Sequence, residues 1–245
     1  MNPFNSVSKD ALKAGSVRKH AVGLLSIDQL RIGMTLMQHI QKQIPTKALI
    51  TQALEGSMSY QEYRDYVGKL VSEEKTSGAT QSAEMVHYTL LNHQRMRRWD
   101  KKTTLGESDV SKLKKLDKPG IWLVLTESWC GDAAPVLPVL HAIAETTPML
   151  DLRIALRDEN SELMDRFLTD NARSIPKLLV LDSENQMEVE ATWGPRPEVA
   201  RKMVLDYKER HGKLDDEFRE SLQIWYNQDK GKGITTEVMA LLALK

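Results

Sequence analysis

Residues 119–210 alternate between short apolar runs of strand length and longer helical patterns, and this order restricts the fold more than any other feature of the sequence. The strand-like runs are Trp122–Thr126, Leu152–Arg157, Lys177–Leu181 and Glu188–Trp193. Helices are predicted between and after these runs, over Cys130–Thr147, over Ser161–Thr169 and from Pro197 onward. The order βαβαββα predicts an α/β fold whose sheet begins with parallel strands and ends with an antiparallel pair.

Helical patterns flank this α/β block on both sides. Ser59 and Glu62 have capping-box spacing ahead of an apolar face, and Ser82 opens a longer helix. Residues after 210 place apolar side chains at helical spacing, which predicts helices packed on the domain, with a partner-binding tail as the alternative. We therefore divide the chain into a variable extension, a helical segment, an α/β domain and C-terminal helices, over residues 1–45, 46–118, 119–210 and 211–245.

The charge balance argues against one broad class of function. Lys and Arg together number 34, as do Asp and Glu, so the formal net charge is zero. A protein that binds nucleic acid through its overall positive field is therefore not expected. Five cations cluster near the end of the helix that Ser82 opens, and capping by the helix dipole is favoured there over an anion or partner patch: Arg95, Arg97, Arg98, Lys101 and Lys102.

The sequence predicts neither a membrane span nor a secretory signal. No segment approaches the roughly 20 apolar residues that cross a bilayer. Asp28 interrupts the apolar run Ala21–Ile27, and no clear cleavage site follows it. For residues 1–45, which include a possible helix over Ser26–Gln43, we favour a poorly ordered extension over a transit peptide. We expect a cytoplasmic protein, because its one thiol would stay reduced there.

Cys130 is the single cysteine of the chain, which excludes an internal disulfide, a Cys-rich zinc site and an intramolecular dithiol switch. It lies where a predicted strand meets a predicted helix, and free N–H groups at a helix start favour a thiolate. We therefore expect an exposed, nucleophilic thiol with a depressed pKa. Asp132, expected to cap the first helical turn, and the nearby Glu127 oppose the thiolate, so the balance stays open.

Four features in this order resemble the thioredoxin superfamily. Trp129-Cys130-Gly131 matches the start of its redox motif, and Pro138 matches the proline of its active-site helix. Ser174-Ile175-Pro176 matches its Ile-cis-Pro loop, and Gly194 falls where the family has a glycine after the last strand. The resemblance implies a thioredoxin fold with additional N-terminal and C-terminal helices. It also implies that the proline loop faces the reactive cysteine and binds extended substrate chains.

Four longer strings resemble a bacterial subgroup of thioredoxin family proteins with a Trp-Cys-Gly-Asp-Ala motif. They are Thr126-Glu-Ser-Trp-Cys-Gly-Asp-Ala133, Arg157-Asp-Glu-Asn160, Arg173-Ser-Ile-Pro176 and Trp193-Gly-Pro-Arg-Pro197. This resemblance runs from about Thr46 to Lys230 and leaves the first 45 residues outside it. For Arg157–Asn160 alone, the residues favour a helix cap over a contact with substrate.

Two departures from the family pattern bear on the chemistry. The family's second cysteine would fall at Ala133, and its buried acid would fall at Val124. Attack of Cys130 on a disulfide would therefore stop at a mixed disulfide. A low-molecular-weight thiol, or a second cysteine of the client, would have to resolve it.

No cofactor or metal is predicted. The sequence has no Walker motif, no dinucleotide fingerprint and no His-Glu-x-x-His. His87 and His93 would lie on different faces of one helix, which disfavours a metal site. His141 would lie too far along its helix to pair with Cys130.

Two functions therefore compete. The first is a monothiol thiol–disulfide oxidoreductase that acts through Cys130 on a protein client with a thiol or disulfide. The second is a non-catalytic module that holds extended peptides beside the proline loop, and a scaffold role is a third interpretation. The residues expected to contact substrate are Trp129, Gly131, Asp132, Ile175, Pro176 and Gly194. Whether Trp129 shields the thiol or only packs stays open.

Overall fold

The computed structural model describes residues 44–182 and 188–242. From Ile44 onward the chain forms one compact unit. The predicted helix Ser26–Gln43 and the interpretation of the extension lie outside the described residues.

Within the described residues, four helices precede the sheet: α1 (Thr46–Glu55), α2 (Tyr60–Ser72), α3 (Ala83–Lys102) and α4 (Glu107–Leu113). The predicted capping box at the start of α2 is confirmed. Ser59 Oγ accepts from the N–H of Glu62 at 3.3 Å, and the Glu62 carboxylate accepts from the N–H of Ser59 at 2.7 Å. Ser82 caps α3 by accepting from the N–H of Met85 at 3.2 Å. Both helices therefore begin where the sequence predicts.

The four strands form one sheet in the order β2-β1-β3-β4, namely β1 (Gly120–Thr126), β2 (Leu150–Leu156), β3 (Lys177–Asp182) and β4 (Val189–Trp193). Strand β1 pairs in parallel with β2 and antiparallel with β3, and β4 pairs antiparallel with β3. The predicted parallel start and antiparallel edge are thus confirmed.

Five helices accompany or follow these strands: α5 (Ala133–Glu145), α6 (Ser161–Met164), α7 (Glu198–His211), α8 (Asp216–Asp229) and α9 (Lys232–Leu242). Ten of the residues of α5 are buried, as its apolar sequence demands, and α3 packs against it. Strand β1 is buried except at Ile121. The segment that contains Cys130 follows directly after the carboxyl end of this buried strand.

The predicted helix over Ser161–Thr169 is too long. Helix α6 ends at Met164, and Leu168, which lies within the predicted helix, is 40% exposed. The chain reverses instead, because Thr169 and Ala172 exchange backbone hydrogen bonds at 3.0 Å across Asp170 and Asn171. Both of these residues have positive φ, a conformation that ends a right-handed helix and that Asp and Asn tolerate.

The helical segment before the sheet also extends the sheet edge. Met58, between α1 and α2, exchanges backbone hydrogen bonds with Ile154 of β2 at 2.8 and 2.7 Å. The exposed edge of β2 is therefore partly covered by the chain's own backbone, which blunts pairing with other molecules.

Gly194 provides a test of how tightly the loop after β4 packs against the loop before β3. Its φ is +106°, and an added Cβ would lie 2.3 Å from the carbonyl oxygen of Pro176. We expect Gly194→Ala to lower the free energy of unfolding by about 3 kcal/mol, measured by urea denaturation. Gly212→Ala is the control, because Gly212 also has positive φ but an added Cβ would meet nothing within 4 Å. It should cost about 1 kcal/mol, and equal losses would contradict the packing argument.

Candidate functional site

Cys130 faces the loop that precedes β3. The segment from Glu127 to Asp132 leaves the buried end of β1 and places the cysteine just before α5, which begins at Ala133 rather than at Cys130 as predicted. The Cys130 thiol donates to the carbonyl oxygen of Ile175 at 3.2 Å, and the Ile175–Pro176 peptide bond is cis. The cysteine and the proline loop are therefore in direct contact.

The expected exposed thiolate is not what the structure contains. Cys130 is only 6% exposed. Burial, followed by the negative charge of Asp132, raises the pKa of its thiol to about 12. Hydrogen bonds from the N–H groups of Ala133 and Asp132, and the charge of Arg196, act in the opposite direction without reversing the shift. The prediction of a depressed pKa is wrong, because removing the thiolate from water costs more than the helix start contributes.

Asp132 does not cap α5, although the sequence predicts it. It lies at the N-cap position, yet its side chain makes no capping hydrogen bond. Its carboxylate instead forms a short ion pair with Arg196 and accepts from the hydroxyl of Tyr226 at 2.9 Å. A charged partner in the interior binds a buried carboxylate more strongly than backbone N–H groups do.

Helix α8 closes one side of the site. Tyr226 is fully buried against Asp132, and Gln223 Nε2 donates to the carbonyl oxygen of Gly131 at 3.0 Å. Gln223, Tyr226 and Arg196 are site residues that the sequence did not predict. Arg196 lies within the string Trp193–Pro197, but the two residues of α8 carry no signal beyond the helical spacing of their neighbours.

Arg157 covers Trp129. Its guanidinium lies 5.0 Å from the centroid of the indole ring, in a cation–π contact, and it binds the Asp158 carboxylate at 2.7 and 2.8 Å. The helix cap predicted at Arg157–Asn160 is absent. Asn160 lies at the N-cap of α6 but makes no capping hydrogen bond, and its Nδ2 donates to the carbonyl of Leu156 instead.

A buried polar network fixes the loop between β1 and Cys130. The Glu127 carboxylate makes a short hydrogen bond with the Ser77 hydroxyl and accepts from the N–H of Asp158 at 2.9 Å. Burial raises the pKa of Glu127. The hydroxyl of Ser128 accepts from the N–H of Ser77 at 2.9 Å. The backbone carbonyl of Ser128 accepts from the side-chain amide of Asn92 at 3.1 Å. The loop is thus tied to the helical segment before the sheet.

A cavity of about 950 Å³ opens in front of Cys130. Its wall includes most of the residues that the sequence predicts to contact substrate: Trp129, Gly131, Asp132 and Ile175. Pro176 and Gly194 are not part of the wall. They pack against each other, since an added Cβ at Gly194 would meet the backbone of Pro176.

No metal centre accompanies this cavity within the part of the chain that the structure describes, because no three His, Cys, Asp or Glu side chains come together there. His141 stacks on Tyr60 with ring centroids 4.0 Å apart, and its Nε2 lies 3.3 Å from the Glu145 carboxylate.

Over residues 44–182 and 188–242, no helix is both long and apolar enough to cross a membrane.

The sheet order, the cysteine before α5 and the cis-proline loop facing it define a protein of the thioredoxin-fold class, here with added helices on both sides of the core. A family model described as Thioredoxin matches residues 78–212, which is more than half of the chain. The chain belongs to this thioredoxin family.

Two solved structures are similar to the chain. A crystal structure of a protein of unknown function from Pseudomonas aeruginosa is 21% identical, with a TM-score of 0.49, over 76% of this chain and 98% of that one. A crystal structure of an HIV epitope scaffold is 20% identical, with a TM-score of 0.49, over 77% of this chain and 99% of that one. No curated protein matches the sequence.

A substitution can test whether the charge of Asp132 contributes to the raised pKa of the Cys130 thiol. We expect Asp132→Asn to lower the pKa of the thiol, because it removes a nearby negative charge and leaves Arg196 in place. The rate of alkylation by iodoacetamide at mildly alkaline pH should therefore rise.

Tyr226→Phe is the matched control for this prediction, because it removes a hydrogen bond to Asp132 but keeps the carboxylate. Its alkylation rate should stay closer to that of the wild type. Circular dichroism shows whether each variant is folded at the temperature of the assay. An unchanged rate in folded Asp132→Asn would contradict the assignment.

Proposed function

We propose that this protein binds an extended segment of a client protein in the cavity beside Cys130 and the Ile175–Pro176 loop. The observation that carries the proposal is the cavity itself. It is about 950 Å³ in volume and is bounded by the cysteine and Ile175 on one side and by residues of α3 and α8 on the other. A concave site of this size, with apolar and polar groups in its wall, is typical of ligand binding.

The wall of the cavity favours a segment in which apolar and charged side chains are mixed. Met85, Leu91 and Leu214 contribute apolar surface. Arg95 and Lys208 also line the cavity, and neither forms an ion pair with any residue that the structure describes. Burial, followed by the charge of Arg98, lowers the pKa of Arg95. A client carboxylate beside Arg95 would compensate for this loss of solvation.

This proposal differs from a thiol–disulfide exchange function because peptide binding needs no thiolate at Cys130. The protonated thiol of Cys130 serves as part of the wall, held by its hydrogen bond to Ile175. The absence of a second cysteine from the Trp-Cys-Gly-Asp-Ala motif fits the same function. We further propose that the chain belongs to the bacterial subgroup with this motif and has a cytoplasmic location, supported by the four matching strings and by the single cysteine.

Two adjacent leucines of α3 test the groove. Leu91 lines the cavity, whereas Leu90 is 39% exposed and lies outside its wall. We expect Leu91→Glu to weaken binding to peptides selected from a library of short unstructured sequences by tenfold or more, because it places a carboxylate on the apolar wall. Leu90→Glu makes the same chemical change and should leave the affinity unaltered. Fluorescence anisotropy of labelled peptides measures both.

Cys130→Ser completes this test. Under the binding proposal it should hold the same peptides with an affinity close to that of the wild type. Equal effects of the two leucine variants, or loss of binding in Cys130→Ser, would contradict the proposal.

Thiol–disulfide exchange through Cys130 is the second candidate. It is favoured by one observation, namely that the cysteine lines the cavity where a client disulfide would lie. In this reaction the Cys130 thiol loses its proton to solvent, and its sulfur attacks one sulfur of the disulfide. The S–S bond of the client breaks, a mixed disulfide forms, and the other client sulfur leaves as a thiolate. Two molecules of a low-molecular-weight thiol then cleave the mixed disulfide. Cys130 and the client sulfur are both restored as thiols, and the two small thiols are oxidised to a disulfide.

Oxidised glutathione tests the exchange reaction directly. If Cys130 exchanges, intact-mass spectrometry should find one glutathione adduct per chain at neutral pH, and Cys130→Ser should have none. A thiol with a pKa of about 12 is almost entirely protonated at neutral pH, so reaction of an unactivated Cys130 would become appreciable only in alkaline solution. An adduct that forms only at alkaline pH would therefore contradict the exchange function.

A further inference from the structure

A second cavity, of about 930 Å³, lies between the end of α3, the start of α4 and the turn that joins α8 to α9. It shares no lining residue with the cavity beside Cys130. It also contains part of the cation cluster at the end of α3, for which the sequence favours helix capping. This second cavity therefore needs an explanation of its own.

Positive charge dominates the wall of this second cavity. Its cations are Arg98, Lys102, Lys230 and Lys232, and Asp109 is the one carboxylate among its lining residues within the described chain. Asp109 lies 3.7 Å from Lys112, which is outside the wall. None of the four cations forms an ion pair with a described residue. The chain as a whole has no net charge, so this concentration of positive charge is local.

Helix capping does not account for the position of Arg98. The last turn of α3 is closed by Thr103, whose N–H and hydroxyl both donate to the carbonyl of Trp99 at 2.8 Å. The guanidinium of Arg98 instead donates to Oδ1 of Asn227, on α8, at 2.8 Å. The side chain thus points across the cavity wall towards a second helix.

The two lysines on the opposite side are held by a tightly packed turn. Lys230 ends α8 in a left-handed conformation, with φ of 57°. Gly231 follows with φ of +78°, and an added Cβ there would lie 2.7 Å from Val139 and 3.5 Å from the ring of Trp99. The backbone of this turn is therefore fixed against α5 and α3. It places Lys230 and Lys232 beside Arg98 and Lys102 although like charges repel.

We propose that this cavity binds a ligand that carries a phosphate group. Clustered Arg and Lys side chains recognise phosphate through charge-assisted hydrogen bonds, with Arg offering a planar pair of donors and Lys a point charge. Thr104 and Thr236 add hydroxyl groups to the wall. The volume suits a compact organic phosphate, since small-molecule sites occupy roughly 300–1,000 Å³. The ligand would neutralise charges that the protein leaves unpaired.

Isothermal titration calorimetry on the full chain tests the proposal with three probes. These are inorganic pyrophosphate, ADP, and vesicles of phosphatidylcholine that carry a phosphoinositide. We expect saturable binding with one site per chain for at least one probe. The double variant Lys230→Gln/Lys232→Gln should weaken that binding by tenfold or more. The double variant Lys202→Gln/Lys213→Gln removes the same charge at exposed positions outside the cavity and should bind as the wild type does.

The probes also distinguish the source of the phosphate. Binding of pyrophosphate or ADP supports a free phosphate ligand, and binding confined to the vesicles supports a lipid headgroup. Absence of binding for all three probes would overturn the proposal. Equal losses in the two double variants would also overturn it, because they would show a general effect of surface charge. Arg98→Lys, which keeps the charge but loses the planar donors, provides an independent check and should weaken binding without changing the net charge.

Discussion

The buried ion pair between Asp132 and Arg196 is the interaction on which the rest of the site depends. It joins the segment after β1 to the segment before α7, and the hydroxyl of Tyr226 adds α8 to the same carboxylate. Loss of either charged partner would leave the other unpaired in the interior, which costs far more than the loss of a surface pair. The same carboxylate helps to keep Cys130 protonated. The carboxylate that helps to close the site thus also adds to the effect of burial in raising the pKa of the Cys130 thiol.

The helices before the sheet are part of the site and not an appendage to it. Buried polar groups require partners, and the loop that carries Glu127 and Ser128 finds them in Ser77 and in Asn92 of α3. Helix α3 then continues past the cysteine and supplies one wall of its cavity. The helical segment before the sheet therefore contributes both to holding the loop before Cys130 and to the wall of the cavity.

Features that depend on local pattern could be predicted from the sequence, and features that depend on distant partners could not. Alternating and continuous apolar runs indicate strands wherever they lie, so the succession of strands and helices along the chain follows from them. The helical pattern over Ser161–Thr169 predicts a longer α6, but the helix ends at Met164 and the chain reverses at Asp170 and Asn171. The burial of Cys130 depends on helices far along the chain in both directions, and no pattern near the cysteine reports their presence.

The segment that the chain shares with its family runs from residue 78 to residue 212. Ser77, which binds the loop before Cys130, lies immediately before that segment, and Gln223 and Tyr226, which bind Gly131 and Asp132, lie after it. The residues that match the family model and the compact unit that begins at Ile44 are therefore different stretches of chain. A fragment trimmed to residues 78–212 would keep Cys130, Asp132 and Arg196 but would lose the hydrogen bonds of Ser77, Gln223 and Tyr226 with the segment around the cysteine. Its reactivity would therefore not represent that of the whole protein.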